Sequence, residues 1–409
     1  MKVPKIRFKG FEGAWEEEKL WNLWKTYTWL SWKTKNDFWH GEWLFIPYIN
    51  IFSNTIVNER KLEQVEIDKN QNEVMYWDFF FTTSSETPKE VWMTSVRLGN
   101  KENIYLNSFC FWYRFSIDIN YYFTSYMFRS NVFREKIILL AQWISRYNIS
   151  KNKTLEISIS LPSLPEQEKI WALFEQLDSH ISKNQQKLEK LKNMKHSFLQ
   201  KLFPKAWTTV PELRFKGFEG AWKEKKLGEI CNKIKEKNTN WIFSETFTNS
   251  AEFWIISQKD FFDHDISNIE NLKWYYIVEN NDFVYNPRIS NFAPVWPINR
   301  NKLRRTWVMS PLYTILRFCW NNFIFLEYLF KNSVWHNYMF LNWDSGARSD
   351  RFSIKDDVFF KMPLRIPSLP EQEKIWALFE KLDTQITQQT QKLEKLKNLK
   401  QSLLEKMFI

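Results

Sequence analysis

The chain has 409 residues, which is enough for two or three domains with their own cores. Its 58 lysines and arginines outnumber its 47 aspartates and glutamates, and the net charge of +11 favours a polyanionic partner such as nucleic acid. No apolar run approaches the roughly 18 residues of a membrane span, and the basic start is followed by no apolar stretch typical of a secretory signal. Three cysteines without CxxC spacing indicate a reducing, cytoplasmic setting and no disulfide framework or zinc knuckle.

The first element in chain order is a short block that occurs twice. VPKIRFKGFEGAWEEEKL (3–20) returns as VPELRFKGFEGAWKEKKL (210–227). A longer block at 161–203 returns at 366–408, and both copies contain PSLPEQEKIWALFE without a single change. Because internal repeats dictate architecture, the sequence predicts an approximate two-fold axis, as in a fused homodimer.

The segments between the blocks, about 21–160 and 228–365, are rich in aromatic and β-branched residues. LFIPYINIF (44–52), DFFFTTSS (78–85) and WYYIVENNDFVYNP (274–287) predict a mixed α/β structure of mostly short strands, and 119–142 predicts a helix. The two segments share landmarks although their sequences differ. VMYWDFFFTTSS (74–85) aligns with VENNDFVYNPRI (278–289), and WISRYNIS (143–150) aligns with GARSDRFS (346–353). This pattern is typical of one fold with two divergent surfaces.

The 161–203 block predicts a long helix. Ser163 and Glu166 have capping-box spacing, Pro165 falls in the first turn, and Pro204 ends the helix. Inside it, residues step by alternating fours and threes, with polar residues at places that could fix the register. This seam comprises Ile170, Phe174, Leu177, Ile181, Asn184, Leu188, Leu191, Lys195, Phe198 and Leu202, and in the second copy Ile375, Phe379, Leu382, Ile386, Gln389, Leu393, Leu396, Lys400, Leu403 and Met407.

The seam is typical of an intramolecular antiparallel coiled coil, although each helix could instead pack only on its own neighbouring domain. The predicted fold class is α/β (α+β), with two mixed α/β domains related by pseudo-two-fold symmetry and separated by that coiled coil. The predicted boundaries are 1–160 for the first domain, 161–204 for the first helix, 205–365 for the second domain and 366–409 for the second helix.

No catalytic set emerges from the sequence. It has no Walker A loop, GxGxxG or HExxH motif, and its five histidines lack metal-ligand spacing. Glu166-Gln167-Glu168-Lys169 has a nuclease-like Glu-x-Lys pattern, but at the start of a capped helix it is more typical of a solvated face. We therefore expect a binding protein with neither a metal nor a cofactor of its own.

The doubled PSLPEQEKI helices, the paired RFKGFEGAW openings and the two Asp-Phe landmarks resemble the specificity (S) subunits of type I restriction–modification enzymes. The resemblance covers nearly the whole chain. It implies two target-recognition domains that each read half of a bipartite site in double-stranded DNA, with the helices setting the unread gap. It also implies two modification subunits that methylate adenine with S-adenosylmethionine, and restriction subunits that use ATP and Mg²⁺. The alternatives are a structural coiled-coil scaffold without sequence-specific DNA binding, and a self-contained nuclease.

Residues in the loops after the Asp-Phe landmarks and just before each helix block are the predicted DNA contacts, because arginine reads guanine and Ser or Asn serves bases or phosphates. In the first domain they are Thr83, Ser84, Ser85, Lys89, Ser145 and Arg146, and in the second they are Asn286, Arg288, Ser290, Arg348, Ser349 and Arg351. For each one, an ordinary solvated loop residue is the alternative.

The 23 tryptophans and 8 glycines are an unusual pair of counts, since glycine normally makes up ~7% of a chain. Within the repeat, Trp21 faces Gly228, Trp143 faces Gly346 and Trp77 faces Asn281, whereas Trp15 and Trp222 match. Trp171 and Trp376 stand where the resembled family has a small residue. We hypothesise that many tryptophans occupy former glycine positions, through engineering, codon reassignment or an error in the sequence. The alternative is a tryptophan-rich reader that stacks on bases.

Overall fold

A computed structural model describes residues 3–27, 34–67, 71–143, 146–149, 151–250, 254–262, 269–287, 297–320, 322–343 and 354–409. They belong to two compact units. Unit 1 comprises residues 1–185 and 391–409, and unit 2 comprises residues 186–390. The C-terminal end of the chain thus belongs to the first unit.

Unit 1 contains twelve strands among its described residues: Glu16–Lys19 (β1), Trp24–Tyr27 (β2), Phe38–Ile46 (β3), Glu63–Val65 (β4), Phe79–Thr82 (β5), Ser84–Ser85 (β6), Thr94–Val96 (β7), Ile104–Leu106 (β8), Cys110–Phe115 (β9), Gln142–Trp143 (β10), Tyr147–Asn148 (β11) and Ser158–Leu161 (β12). Its helices are Leu20–Leu23 (α1), Tyr48–Ser53 (α2), Tyr121–Met127 (α3), Asn131–Leu140 (α4), Lys151–Leu155 (α5) and the first half of Leu164–Lys201 (α6), with a 3₁₀ turn at Lys35–Asp37.

Unit 2 contains the strands Lys223–Lys226 (β13), Cys231–Ile234 (β14), Phe247–Ser250 (β15), Trp254–Ser257 (β16), Tyr276–Val278 (β17), Phe283–Tyr285 (β18), Ile298–Arg300 (β19), Trp307–Met309 (β20), Thr314–Phe318 (β21) and Pro363–Ile366 (β22). Its helices are Leu227–Ile230 (α7), Gln258–Phe262 (α8), Phe323–Lys331 (α9), His336–Asn342 (α10), Asp356–Phe359 (α11) and most of Leu369–Lys406 (α12), with a 3₁₀ turn at Ile269–Trp274.

The two units share one framework. In unit 1 an antiparallel four-stranded sheet has the order β2-β9-β5-β7, and in unit 2 the corresponding sheet has the order β14-β21-β18-β19. In each unit the end of the short block pairs with the strand that leads into the long helix, as β1 with β12 and as β13 with β22. The expectation of one fold with divergent sequences is confirmed.

Two local predictions were wrong. The segment 48–53 is a helix, and the predicted helix over 119–142 is two helices, α3 and α4. The break falls before Ser130, whose Oγ accepts the N–H of Phe133 at 3.4 Å as an N-cap. Arg129, just before the break, and Arg134, in α4, turn into the domain and donate to backbone carbonyls of residues 51–54 and 89–94. Burial lowers the pKa of both guanidinium groups to about 10.

The predicted seam is confirmed by burial, because every seam position of both helices is buried or half-buried. In unit 1, Ile170, Phe174 and Leu177 share a core with Leu404, Met407 and the first domain. In unit 2, Ile375, Phe379 and Leu382 share a core with Leu202, Phe203 and the second domain. Each helix therefore packs on its own domain and, antiparallel, on the end of the other helix.

The polar seam residues have partners. Lys400 Nζ donates to Asp178 Oδ1 at 2.5 Å, and the hydroxyl of Tyr126 donates to Asp178 Oδ2 at 2.8 Å. In unit 2, Lys195 pairs with Asp383, whose second oxygen accepts the hydroxyl of Tyr328 at 2.6 Å. A slip of either helix by one turn would break these contacts, so they support the predicted register role.

The start of each long helix holds a buried ion pair. Glu166 is 1% exposed and accepts Arg7 Nε at 2.7 Å and Nη2 at 2.8 Å; Glu371 accepts Arg214 at the same two distances. Gln167 is also buried and accepts the backbone N–H of Asn120. The expectation of a solvated face at 166–169 was therefore wrong for Glu166, which pairs with Arg7 of the short block, and for Gln167, which contacts the start of α3.

The short block also lies against the end of a long helix in both units. The N–H of Ile6 donates to the carbonyl of Lys406 at 3.0 Å, and the N–H of Leu213 donates to the carbonyl of Lys201 at 2.9 Å. In unit 2 this contact follows a direct connection, residues 202–212, from the helix to the block. In unit 1 the two partners are distant in sequence.

Candidate nucleic-acid interface

The Asp-Phe landmarks place a buried aspartate at the start of the central strand of each sheet. Asp78 accepts Arg114 Nε at 2.7 Å and Nη2 at 2.8 Å, and Asp282 accepts the same two atoms of Arg317 at 2.8 Å. Burial raises the pKa of Asp78, against the hydrogen bonds from Arg114 and Met75. The hydrogen bond to Asp282 raises the pKa of Arg317. These pairs are structural, and they fix the strand from which the predicted loop departs.

In unit 1 three of the predicted DNA contacts lie together. β6 pairs with β11, so Ser84 faces Asn148 and Ser85 faces Tyr147, next to Arg146. A groove of about 360 Å³ is lined by Ser84, Ser85, Glu86 and Arg146, together with Tyr48, Ile49, Phe52, Glu90 and Phe109. The two loops chosen from the sequence thus form one surface.

The accessibility of the predicted side chains differs. Arg146 is 60% exposed and forms an ion pair with Glu86 at 3.2 Å, a pair that is itself open to solvent. Lys89 is exposed, and its backbone carbonyl accepts Arg134. Thr83 is half-buried and binds the carbonyl of Phe109 through its N–H and its hydroxyl. Ser85 is buried, with its Oγ 3.4 Å from Glu90.

In unit 2 the structure describes one predicted contact, Asn286, directly after the central strand β18. Its Nδ2 donates to the carbonyl of Asn249 at 2.8 Å, and Asn249 Nδ2 in turn donates to the carbonyl of Val284. Asn299 Nδ2 donates to Asn249 Oδ1 at 2.7 Å. Asn286 thus belongs to a polar network that holds the β15–β16 hairpin beside β18.

Six further predicted contacts lie outside the described residues: Ser145, Arg288, Ser290, Arg348, Ser349 and Arg351. For all twelve residues the assignment to DNA remains a prediction.

Sequence reasoning missed Phe109, which borders the same groove. Its ring is 65% exposed, while its backbone is fixed: Asn107 Oδ1 accepts its N–H at 2.8 Å and Thr83 donates twice to its carbonyl. An aromatic ring on a rigid turn is suited to contact a nucleobase. Asn107 two residues before Phe109 is the turn signal that could have identified it.

Cations and aromatic rings alternate on the surface of unit 2. Lys237 and Lys273 both lie over the exposed ring of Trp274, at 4.8 and 5.2 Å, and Arg305 lies 4.4 Å over Trp307. The first strand of the unit, β13, has the sequence KEKK, where β1 of unit 1 has EEEK. The first strand of unit 2 is therefore more positively charged than the first strand of unit 1.

Among the described residues, no group of three or more His, Cys, Asp or Glu side chains is placed to hold a metal ion. Within the same ranges no helix is both long and apolar enough to cross a membrane.

Comparison with known families gives two matches along the chain. Residues 45–193 and 219–398 each match the model described as the type I restriction modification DNA specificity domain. A search of curated proteins gives no match.

Solved structures share the fold. The crystal structure of a type I restriction-modification system S subunit from M. genitalium is 14% identical with a TM-score of 0.56, covering 100% of this chain and 99% of that one. A chain from a study of complex assembly and conformational transition of the type I R-M system is 15% identical with a TM-score of 0.57, covering 95% of this chain and 96% of that one.

Proposed function

Because the chain belongs to the type I restriction–modification DNA specificity family, we propose that it is the DNA sequence-specificity subunit of a type I restriction–modification complex. It reads a bipartite, gapped target in double-stranded DNA and directs adenine methylation and restriction by partner subunits. One observation carries this proposal: the two units repeat one sheet order and one helix packing, but the segments that follow the central strand differ in sequence.

The division of labour follows from that observation. A shared framework gives both units the same placement on their helix, and different loops give each unit its own base contacts. Loop side chains such as Arg146 in unit 1 can read base edges, while the net charge of +11 supplies affinity for phosphates that is independent of sequence. Because phosphate contacts release counterions, we expect binding to weaken steeply with salt.

Catalysis belongs to the partners in this proposal. Two modification subunits bind S-adenosylmethionine and transfer the methyl group, and restriction subunits use ATP and Mg²⁺. The chain itself acts as a non-catalytic, cytoplasmic subunit with no cofactor. The likeness to a chain studied for complex assembly in the type I R-M system supports the expectation of partner subunits.

The test is an adenine-methylation map of a restriction-deficient host that expresses the chain with its modification subunits. We expect one new motif with two half-sites and a fixed gap, absent when the modification subunits are expressed alone. A matched variant replaces residues 21–160 with residues 228–365, so that both units carry the same reader. Its motif should become palindromic and retain the half-site assigned to unit 2.

The structural-scaffold alternative predicts a different result. The complex would assemble, but no motif would depend on this chain, and exchanging the recognition segment would change nothing. That outcome, with intact complex in hand, would overturn the proposal.

A further inference from the structure

Five tryptophans have backbone angles that bulky residues avoid. Their φ values are +68° at Trp39, +75° at Trp77, +56° at Trp92, +54° at Trp241 and +61° at Trp254. In this left-handed region the Cβ atom crowds the backbone, so glycine occupies it freely and Asn or Asp occasionally. Of the eight non-glycine residues with positive φ among the described ones, these five are tryptophan.

The internal repeat shows that the backbone itself requires this conformation. Trp77 and Asn281 occupy equivalent places, one residue before the buried Asp78 and Asp282, with φ of +75° and +72°. Both N–H groups donate across the sheet, to the carbonyl of Arg97 at 2.8 Å and to that of Asn301 at 2.9 Å. Asparagine is the common substitute for glycine at such a position, so the framework selects a glycine-like residue here and the indole is foreign to it.

Trp39, Trp241 and Trp254 are 65%, 48% and 47% exposed, so their rings bury little surface in return for the strained backbone, whereas Trp92 is fully buried. Two of the exposed tryptophans have surface contacts: the indole N–H of Trp39 donates to Glu63 at 3.0 Å, and Lys302 lies 4.5 Å over the ring of Trp254. Exposed contacts of this kind contribute little against the cost of a strained backbone. Trp15 and Trp222 form a contrast. They match across the repeat, are buried to 4% and 3% exposure, and do not have positive φ.

We propose that residues 39, 77, 92, 241 and 254 are glycine in the protein as its own cell makes it. In this proposal the five positions share one codon, which this cell translates as glycine and which another genetic code translates as tryptophan. The composition agrees, since the 23 tryptophans and 8 glycines together approach the ~7% of a chain that is usually glycine alone. The proposal does not depend on the DNA-reading function.

Peptide mass spectrometry of the full chain, purified from its source organism, tests the assignment directly. We expect glycine masses at the five positions and tryptophan masses at 15 and 222. The gene should carry UGG at 15 and 222 and one other shared codon at the five positions. Tryptophan masses at all five positions would overturn the proposal.

Thermal unfolding of the full chain tests the physical argument. Trp77→Gly should raise the Tm of unit 1, and a four-fold variant with glycine at 39, 77, 241 and 254 should raise the Tm of the chain by at least ~5 °C. Trp92 is left in place, because removal of its fully buried ring would leave a cavity that opposes the gain. The matched control Asn281→Gly should change little, and Trp15→Gly should lower the Tm by removing a buried ring. A four-fold variant that melts at a lower temperature than the unsubstituted chain would contradict the requirement for glycine.

Discussion

Units 1 and 2 have the same sheet order and helix packing, although they share few residues outside the repeated blocks. The Asp–Arg pair that anchors the central strand, the Arg–Glu pair at the helix start and the Tyr–Asp–Lys contact on the seam occur in both. The sequences that follow the central strand, the small accessory sheets and the charge of the first strand differ. The comparison separates residues that hold the framework from residues that are free to diverge.

One further difference lies in the corresponding helices α3 and α9. Both helices begin with an Asn that caps the first turn, Asn120 and Asn322, and both place a tyrosine on the seam aspartate. One residue before that tyrosine, unit 1 has Ser125 and unit 2 has Glu327. Glu327 is 9% exposed on its side chain and pairs with Arg300, Lys302 and Lys331. The two units thus share this helix but differ in the buried charge that it carries.

The largest effect is expected from the helix-start ion pairs. Arg7→Ala and Arg214→Ala each leave a glutamate with about 1% exposure and no counter-charge, so each should cost ~3–5 kcal/mol of unfolding free energy. Hydrogen exchange of the two units, followed by mass spectrometry, checks both. Double variants Arg7→Met/Glu166→Met and Arg214→Met/Glu371→Met should recover much of the loss. Clearly unequal losses would break the equivalence of the two units.

Acid should distinguish the units. Burial alone would raise the pKa of Glu327, but Lys331 and Lys302 outweigh it and lower the pKa to about 2. A depressed pKa stabilises the fold above the unfolded-state value of ~4.3, and this contribution disappears as pH falls toward 2. We expect unit 2 to lose on the order of 3 kcal/mol over that interval through this residue. Glu327→Gln should flatten the dependence in unit 2 and leave unit 1, with Ser125, unchanged.

Recognition should be separable by unit. Arg146→Ala should reduce discrimination at one half-site by ~1–3 kcal/mol and leave the other half-site unaffected. Competition binding of the assembled complex with oligonucleotides altered in one half-site measures this. Lys89→Ala is the control, because loss of a phosphate contact weakens all sequences alike and lowers the salt dependence. Equal loss at both half-sites would remove Arg146 from base reading.

The smallest effect is expected on the seam. Lys195→Met and Lys400→Met each remove one partner of a half-exposed pair, so each should cost at most ~1 kcal/mol. Urea unfolding of the full chain measures the change. Tyr126→Phe and Tyr328→Phe are matched variants that remove the tyrosine hydrogen bonds to Asp178 and Asp383. A loss confined to one of the two lysines would show that the seam is less symmetric than its sequence.

The helices and their seam could be predicted because helical periodicity is local: residues 170–202 and 375–407 identify their buried face by spacing alone. The sheet order could not, since β5 pairs with β9 and β7 across connections that no spacing reveals. The break at Ser130 was missed because apolar residues continue through it with helical spacing. Glu166 was misjudged because its partner Arg7 lies 159 residues away.

The candidate site could be predicted only in part, because some of its residues lie near landmarks that the two units share and others do not. Landmark alignment placed Ser84 and Arg146 on suitable loops, and the pairing of β6 with β11 then brings them to one groove. Phe109 reaches that groove from a third segment of the chain. Thr83 donates to its carbonyl, and Asn107, which accepts its N–H, donates to the carbonyl of Ile46. Asn107 signals the turn that carries Phe109, but the long-range contacts that bring this turn to the groove have no signature in a single sequence.

The block at 3–8 rests on the end of α12 just as the block at 210–215 rests on the end of α6, although only the second pair is joined by a short connection. The covalent link is therefore incidental to the contact. A circular permutant that opens the chain within 204–209 and joins residue 409 to residue 3 should form the same two units, in the opposite order along the chain. The order of the two units along the chain is therefore not dictated by the contacts within either unit.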